Sequence, residues 1–365
     1  MKPQFFVVIC VFKVASITYF YLSGDYRTQT WLRDIPSPGL TNVLSNRTNH
    51  KGERAENSNS SADFIKKIKV TVFIGIITAP KRIDRRTAIR ETWLTTLDHY
   101  PEIGMGFFTD GLGLSKDETF DLQQERAKYG DVEFLPLKGG VRFTHRLLWM
   151  MFLALEKYDF KFILKADDDY FVCLEHLNFD IRSRLQEKFL VWGWLHCERG
   201  SQWTDEGLII FGRDFVDEIV KRNQTLQCHP FGDQAIGLWI NALARDGLEV
   251  TFFADNKRLV HLNSLDSEPY VKNSDLCTRL LGIHQAYPAR MREYWSLVKT
   301  NWFHVSFAEV PREPFKSYCP YPRKFEWRYF ASSWRHEPSP CWGSKDVWSY
   351  LEKFKYFSGR QGSRK

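Results

Sequence analysis

Between Lys69 and Ala166 the chain alternates between apolar, β-branched runs and segments with helical spacing, and this alternation constrains the fold more than any other feature. KVTVFIGIIT (69–78) is the continuous run expected of a strand buried on both faces of a sheet, and Thr78-Ala79-Pro80 ends it. DRRTAIRETWLTTL (84–97) spaces Ile89, Trp93, Leu94 and Leu97 as a helix does. IGMGFFTD (103–110), DETFDLQQERAKYG (117–130), DVEFLPL (131–137), THRLLWMMFLALEKY (144–158) and FKFILKA (160–166) continue as strand, helix, strand, helix and strand. The pattern β-α-β-α-β-α-β predicts a mostly parallel, doubly wound α/β sheet, in which ligands bind beyond the carboxyl ends of the strands.

Asp167, Asp168 and Asp169 stand at that end of the fourth strand, in FKFILKADDDYFV (160–172). Adjacent carboxylates repel one another, and beside an apolar core they need positive compensation. Aspartates at the first and third positions of a short turn can reach one hard divalent cation, which would neutralise the repulsion and bridge an anionic substrate such as a diphosphate. The charge balance fits anionic ligands: a net +7 from 51 basic and 44 acidic residues, interspersed, with no basic tract of the kind that binds nucleic acid. Aromatics reach 16%, which suits stacking on sugar rings and filling a core equally.

Four blocks carry a resemblance to a known family: RRTAIRETW (85–93), KADDDYFV (165–172), PFGDQAIG (230–237) and HQAYPARMREYW (284–295). In this order they resemble the R-R-x-x-I-R-x-T-W, K-x-D-D-D-x-F/Y-V, P-x-E-D-V-x-x-G and H-x-x-x-P-x-x-M-x-x-Y-W blocks of the inverting Golgi β1,3-glycosyltransferases of family 31, the β1,3-galactosyltransferases and β1,3-N-acetylglucosaminyltransferases. The resemblance covers roughly Lys69 to Val298. It implies a GT-A type nucleotide-sugar-binding domain that uses Mn²⁺ and a UDP-sugar donor. Asp169 and Asp167 would be metal carboxylates, with Asp167 also reaching the nucleotide side and Asp168 supporting them. His284 falls where the family places a histidine ligand to the metal. Arg86 and Arg90, at i, i+4 spacing on one helix face, are expected at the diphosphate or uridine, with a structural pairing to a carboxylate as the alternative. Asp233 would be the general base, although Gly232 and Gln234 replace the family's Glu and Val beside it. Lys165 would balance the aspartates, and Arg146 stands where the family commonly has Lys. His261 and His145 lie outside the blocks.

The implied reaction moves galactose from UDP-galactose to the 3-hydroxyl of an acceptor glycan on a glycoprotein, proteoglycan or glycolipid, by one inverting displacement. Transfer of N-acetylglucosamine, or a catalytically silent carbohydrate-binding protein on the same fold, are the alternatives. Residues 5–23, FFVVICVFKVASITYFYLS, read as a signal-anchor transmembrane helix behind a cytoplasmic tail of 1–4, with Lys13 as a blemish. Residues 24–66 read as a flexible stem, 67–300 as the glycosyltransferase domain, and 301–365 as an aromatic, basic extension. With the family, this predicts a single-pass type II protein of the Golgi membrane. Asn46, Asn59 and Asn223 begin N-glycosylation patterns, and six cysteines beyond Cys10 allow three disulfides, with Cys197–Cys228 and Cys319–Cys341 as the pairings considered. The segment FLVWGWLHCERGSQWTDEGLIIFG (189–212) reads as an acceptor-side loop leaving a strand, its tryptophans either stacking on carbohydrate or packing under the sheet.

Overall fold

A computed structural model describes residues 67–261, 274–300, 307, 310–311, 313–330 and 335–342. The expected anchor (5–23) and stem (24–66) lie outside the described residues, and among the described ones no helix is long and apolar enough to cross a membrane.

The first strand, β1 (Val72–Ile77), has every residue buried, and its alternation sets the layers. Val72, Ile74 and Ile76 face one apolar core, shared with Ala88 and Ile89 of α1 (Ile83–Glu91) and Leu122 of α2 (Lys116–Tyr129). Phe73 and Ile77 face the other, shared with α3 (Phe143–Lys157). The strands β2 (Ile103–Leu112), β3 (Val132–Lys138) and β4 (Phe162–Asp167) follow as the alternation predicts. At Thr92 the first helix departs from expectation: the α-helix stops there and a 3-10 turn runs from Trp93 to His99. Thr92, Thr95 and Thr96 each turn a hydroxyl back onto a carbonyl three or four residues earlier, which competes with helix propagation.

After α4 (Leu174–Ser183) come β5 (Leu190–Glu198), β6 (Ser201–Gly212), α5 (Arg213–Lys221), α6 (Gly232–Arg245) and β7 (Thr251–Ala254). The seven strands lie in the order β7-β5-β6-β4-β1-β2-β3. The β1–β2, β2–β3, β1–β4 and β5–β7 pairings are parallel, whereas β6 runs antiparallel to both β4 and β5. The sheet is therefore mixed, because the β5–β6 hairpin enters beside β4 where the alternation of strand and helix has stopped. The chain winds from β1 outward to β3 and returns through α3 to β4 on the other side of β1. The carboxyl ends of β1 and β4 thus flank a topological switch point, the place where open α/β sheets hold ligands.

A small sheet closes over this end: Phe171–Val172 pairs antiparallel with Gly282–Ile283, and Leu259–His261 runs parallel to Gly282–His284. The helix α7 (Pro288–Val298) follows. Three disulfides join segments more than a hundred residues apart: Cys173–Cys277, Cys197–Cys319 and Cys228–Cys341. The pairings 197–228 and 319–341 considered from sequence are not formed, because the extension doubles back. Its Ser339–Pro340 strand pairs with Gln227–Cys228, and Cys319 follows a short helix packed under β7. Gly237 serves the same packing, since a Cβ there would lie 2.3 Å from the Phe325 ring.

Candidate active site

The three aspartates divide their work by alternation. Asp168 points inward and is 1% exposed. It accepts hydrogen bonds from Thr78 Oγ1 at the end of β1 (2.7 Å), from Arg85 (2.7 Å) and from Arg82 (3.1 Å). That network ties the β1 and β4 ends together across the switch point. Asp167 and Asp169 face the other way. Lys165, 2% exposed, donates to Asp167 Oδ1 at 2.6 Å and to the Glu206 carbonyl, so it both neutralises an aspartate and fixes β6 against the turn. Burial pushes the Asp167 carboxyl up, against the pull of Lys165. Burial pushes Asp169 up as well, but its hydrogen bond with His284 and the positive charges of His284, Arg85 and Arg82 outweigh that and hold it low.

His284 ends the inner strand of the small sheet. Its Nε2 lies 3.4 Å from Asp169 Oδ1, its ring stacks on Tyr170, and the Ala286 N–H donates to the Asp169 carbonyl at 2.8 Å. Gln285 takes a left-handed φ of 63°, which turns the chain back onto the aspartates. Ligand atoms of Asp167, Asp169 and His284 all lie within 4.8 Å of one another. Two carboxylates and an imidazole form a donor set suited to Mn²⁺. His261, for which the sequence offered no support, is carried beside His284 by the parallel pairing, with their Nδ1 atoms 2.9 Å apart. Asp205 on β6 completes a second possible ligand group with those two histidines. The signal that could have found His261 is its place at the end of a short apolar run, LVH (259–261).

Asp233 lies in the first turn of α6, where its Oδ1 accepts from the Gln234 N–H at 2.7 Å. Burial, aided by the charge of Asp205, raises its carboxyl to about 6, while Lys165 and His196 pull the other way. A carboxyl titrating there is a base at neutral pH that can still hold a transferred proton.

The structure does not bring Arg86 and Arg90 to the aspartates. Arg86 is fully buried and clasps Glu125 with both Nε (2.9 Å) and Nη2 (2.7 Å), while also donating to the carbonyls of Ala79 and Pro80. Arg90 clasps Asp131 and also reaches Glu125. The alternative of a structural carboxylate partner describes both. Arg146 likewise clasps Asp110, and His145 contacts the Cys341 carbonyl. The segment expected as an acceptor-side loop is instead the β5–β6 hairpin, and within it Trp192 and Trp203 are buried, so packing accounts for them. Trp194 is half-buried with its ring against His196 and His261 at the site. Asn223 is buried and its amide donates to the Val220 carbonyl, so this sequon does not offer its nitrogen to solvent.

Residues 84–197 match the family model described as Galactosyltransferase. Beta-1,3-galactosyltransferase 6 from Mus musculus is 27% identical over 51% of this chain and 65% of its own length. Beta-1,3-galactosyltransferase GALT1 from Arabidopsis thaliana is 25% identical over 50% of this chain and 32% of its own. The chain thus spans less than two thirds of either. Among solved structures, galactosyltransferase LgtC with donor and acceptor sugar analogs has 10% identity and a TM-score of 0.35, over 66% of this chain and 97% of that one, too slight a likeness to assign a fold. The family match includes the Asp167–Asp169 turn and ends before Asp233 and His284. From residue 84 to residue 197, which includes β4 and the Asp167–Asp169 turn, the chain matches the galactosyltransferase family model, and it is similar to β1,3-galactosyltransferases.

Proposed function

We propose that this chain is an inverting β1,3-galactosyltransferase of GT-A type, anchored in the Golgi membrane by residues 5–23, that moves galactose from UDP-galactose to the 3-hydroxyl of an acceptor glycan. The observation that carries the reading is the assembly of Asp167, Asp169, His284 and Asp233, drawn from three separate sequence blocks, around the end of β4. Asp167, Asp169 and His284 would hold Mn²⁺, which supplies positive charge against the diphosphate. Arg82, whose side chain is 40% exposed beside Asp168, would add a guanidinium for the same diphosphate. Asp233 takes the proton of the acceptor hydroxyl as that oxygen attacks C1 of galactose from the face opposite UDP. The new C1–O bond forms as the bond to the β-phosphate oxygen breaks, so the anomeric configuration inverts and UDP leaves.

The test incubates the full chain, in detergent, with UDP-galactose and other UDP-sugars, Mn²⁺ and a panel of aryl glycosides, and measures UDP release for wild type, Asp233→Asn and Asp169→Asn. Acceptor-dependent release from UDP-galactose, lost in both variants, supports the reading. Glycan binding without release from any donor would replace it with a silent carbohydrate-binding protein.

A further inference from the structure

Gly232 opens α6 immediately before Asp233, and a Cβ added there would lie 1.9 Å from Oε2 of Glu206 and 3.1 Å from its Cδ. The Glu206 side chain, reaching across from β6, therefore fills the space that a side chain at 232 would occupy. The main chain of Glu206 is held by Lys165, which bonds its carbonyl. No described residue donates a hydrogen bond to its carboxylate. Its neighbour Asp205 contrasts with it, since that carboxylate faces His196 at 3.3 Å and His261 at 3.6 Å and accepts from the Gly207 N–H. Burial and the negative charges of Asp233, Asp167 and Asp205 push this carboxyl well up despite Lys165, and a half-buried carboxyl beside the residue read as the base, with no described donor to it, is costly unless something else bonds it. A sugar hydroxyl, which both donates and accepts, satisfies it. Gly232 also stands where the family pattern has Glu, so an acidic group reaches the same place from a different strand.

We propose that Glu206 is an acceptor-binding residue. Its carboxyl hydrogen-bonds a second acceptor hydroxyl, adjacent to the one that Asp233 deprotonates, and glycine at 232 admits it. This rests on the transferase reading above. It assigns the acceptor a chemical class: a sugar with two neighbouring free hydroxyls and no sulfate or carboxylate beside them, because an anion there would be repelled by Asp205 and Asp233.

The experiment measures acceptor and donor kinetics separately, with UDP-galactose, Mn²⁺ and whichever aryl glycoside the wild type uses best, on Glu206→Gln, Glu206→Gly, Gly232→Ala and the relocated pair Glu206→Gly with Gly232→Glu. Losing that hydrogen bond predicts that kcat/KM for the acceptor falls roughly tenfold in Glu206→Gly and Gly232→Ala, and less in Glu206→Gln, with donor KM unchanged. The relocated pair should recover most of what Glu206→Gly alone loses. An unchanged acceptor kcat/KM in Glu206→Gly, an equal change in donor KM, or a relocated pair no better than Glu206→Gly would overturn the assignment. A wild type that transfers to no glycoside defeats the transferase reading itself, and this inference with it.

Discussion

Arg85 and Arg86 are neighbours on α1, yet they belong to different networks. Arg85 donates to Asp168 at 2.7 Å and lies 3.3 Å from Asp169 at the crevice. Arg86 closes on Glu125 and on the turn after β1, away from it. About 100° of helix rotation separates consecutive residues, so Arg82 and Arg85 share one face and Arg86 and Arg90 another. One face meets the candidate site and the other meets α2 and the start of β3. Among the described residues the two networks meet at Thr78, whose hydroxyl donates to Asp168 and accepts from Arg86. Charge in this fold is thus spent twice, once to hold the crevice walls in place and once to line them.

Variants should separate the two uses. On the site side, Asp233→Asn should lower kcat by roughly a hundred- to ten-thousandfold while leaving thermal unfolding nearly unchanged, which circular dichroism and an initial-rate assay check together. On the support side, Arg86→Ala takes the bidentate partner from Glu125, itself 4% exposed, leaving it Arg90, and frees the Ala79 and Pro80 carbonyls. Urea denaturation should show a loss of about 2–3 kcal/mol, with activity per folded molecule reduced far less than in Asp233→Asn. Arg85→Ala should fall between them: a donor KM raised about tenfold and a smaller stability loss than Arg86→Ala, because Asp168 keeps Thr78 and Arg82. The gentlest probe is pH. Asp233 must be ionised to accept a proton and its carboxyl is raised to about 6, so kcat/KM should decline below about pH 6, approaching tenfold per unit, with the plateau above it. A flat profile down to pH 4 would remove Asp233 from the role of base.

The winding of the first half was legible because each strand is a short apolar run set between helical spacings, and α2 carries its own punctuation: Ser115 and Glu118 form a capping box, and Gly130 ends the helix in a left-handed turn. The expected strand over 103–110 and helix over 144–158 lie within two residues of β2 and α3. Past Asp169 legibility drops, since β6 inserts by hairpin pairing and the disulfides depend on where the extension returns. Within the site, the blocks located Asp167, Asp169, Asp233 and His284. Spacing put Arg86 and Arg90 on one face correctly, but only tertiary structure could say that this face meets Glu125 and Asp131. Glu206 was legible only as one of the polar residues of the acceptor-side segment, with Glu198, Arg199 and Asp205, because its place beside Asp233 depends on a glycine on another element.

The most direct test of the transferase account is the structure of the product. Proton NMR of the disaccharide formed from UDP-galactose and the preferred glycoside should show one new galactose joined through a β anomeric linkage to the 3-oxygen of the acceptor, the inversion that a single displacement assisted by Asp233 requires. An α linkage, a different position of attachment, or free galactose with no disaccharide would contradict it.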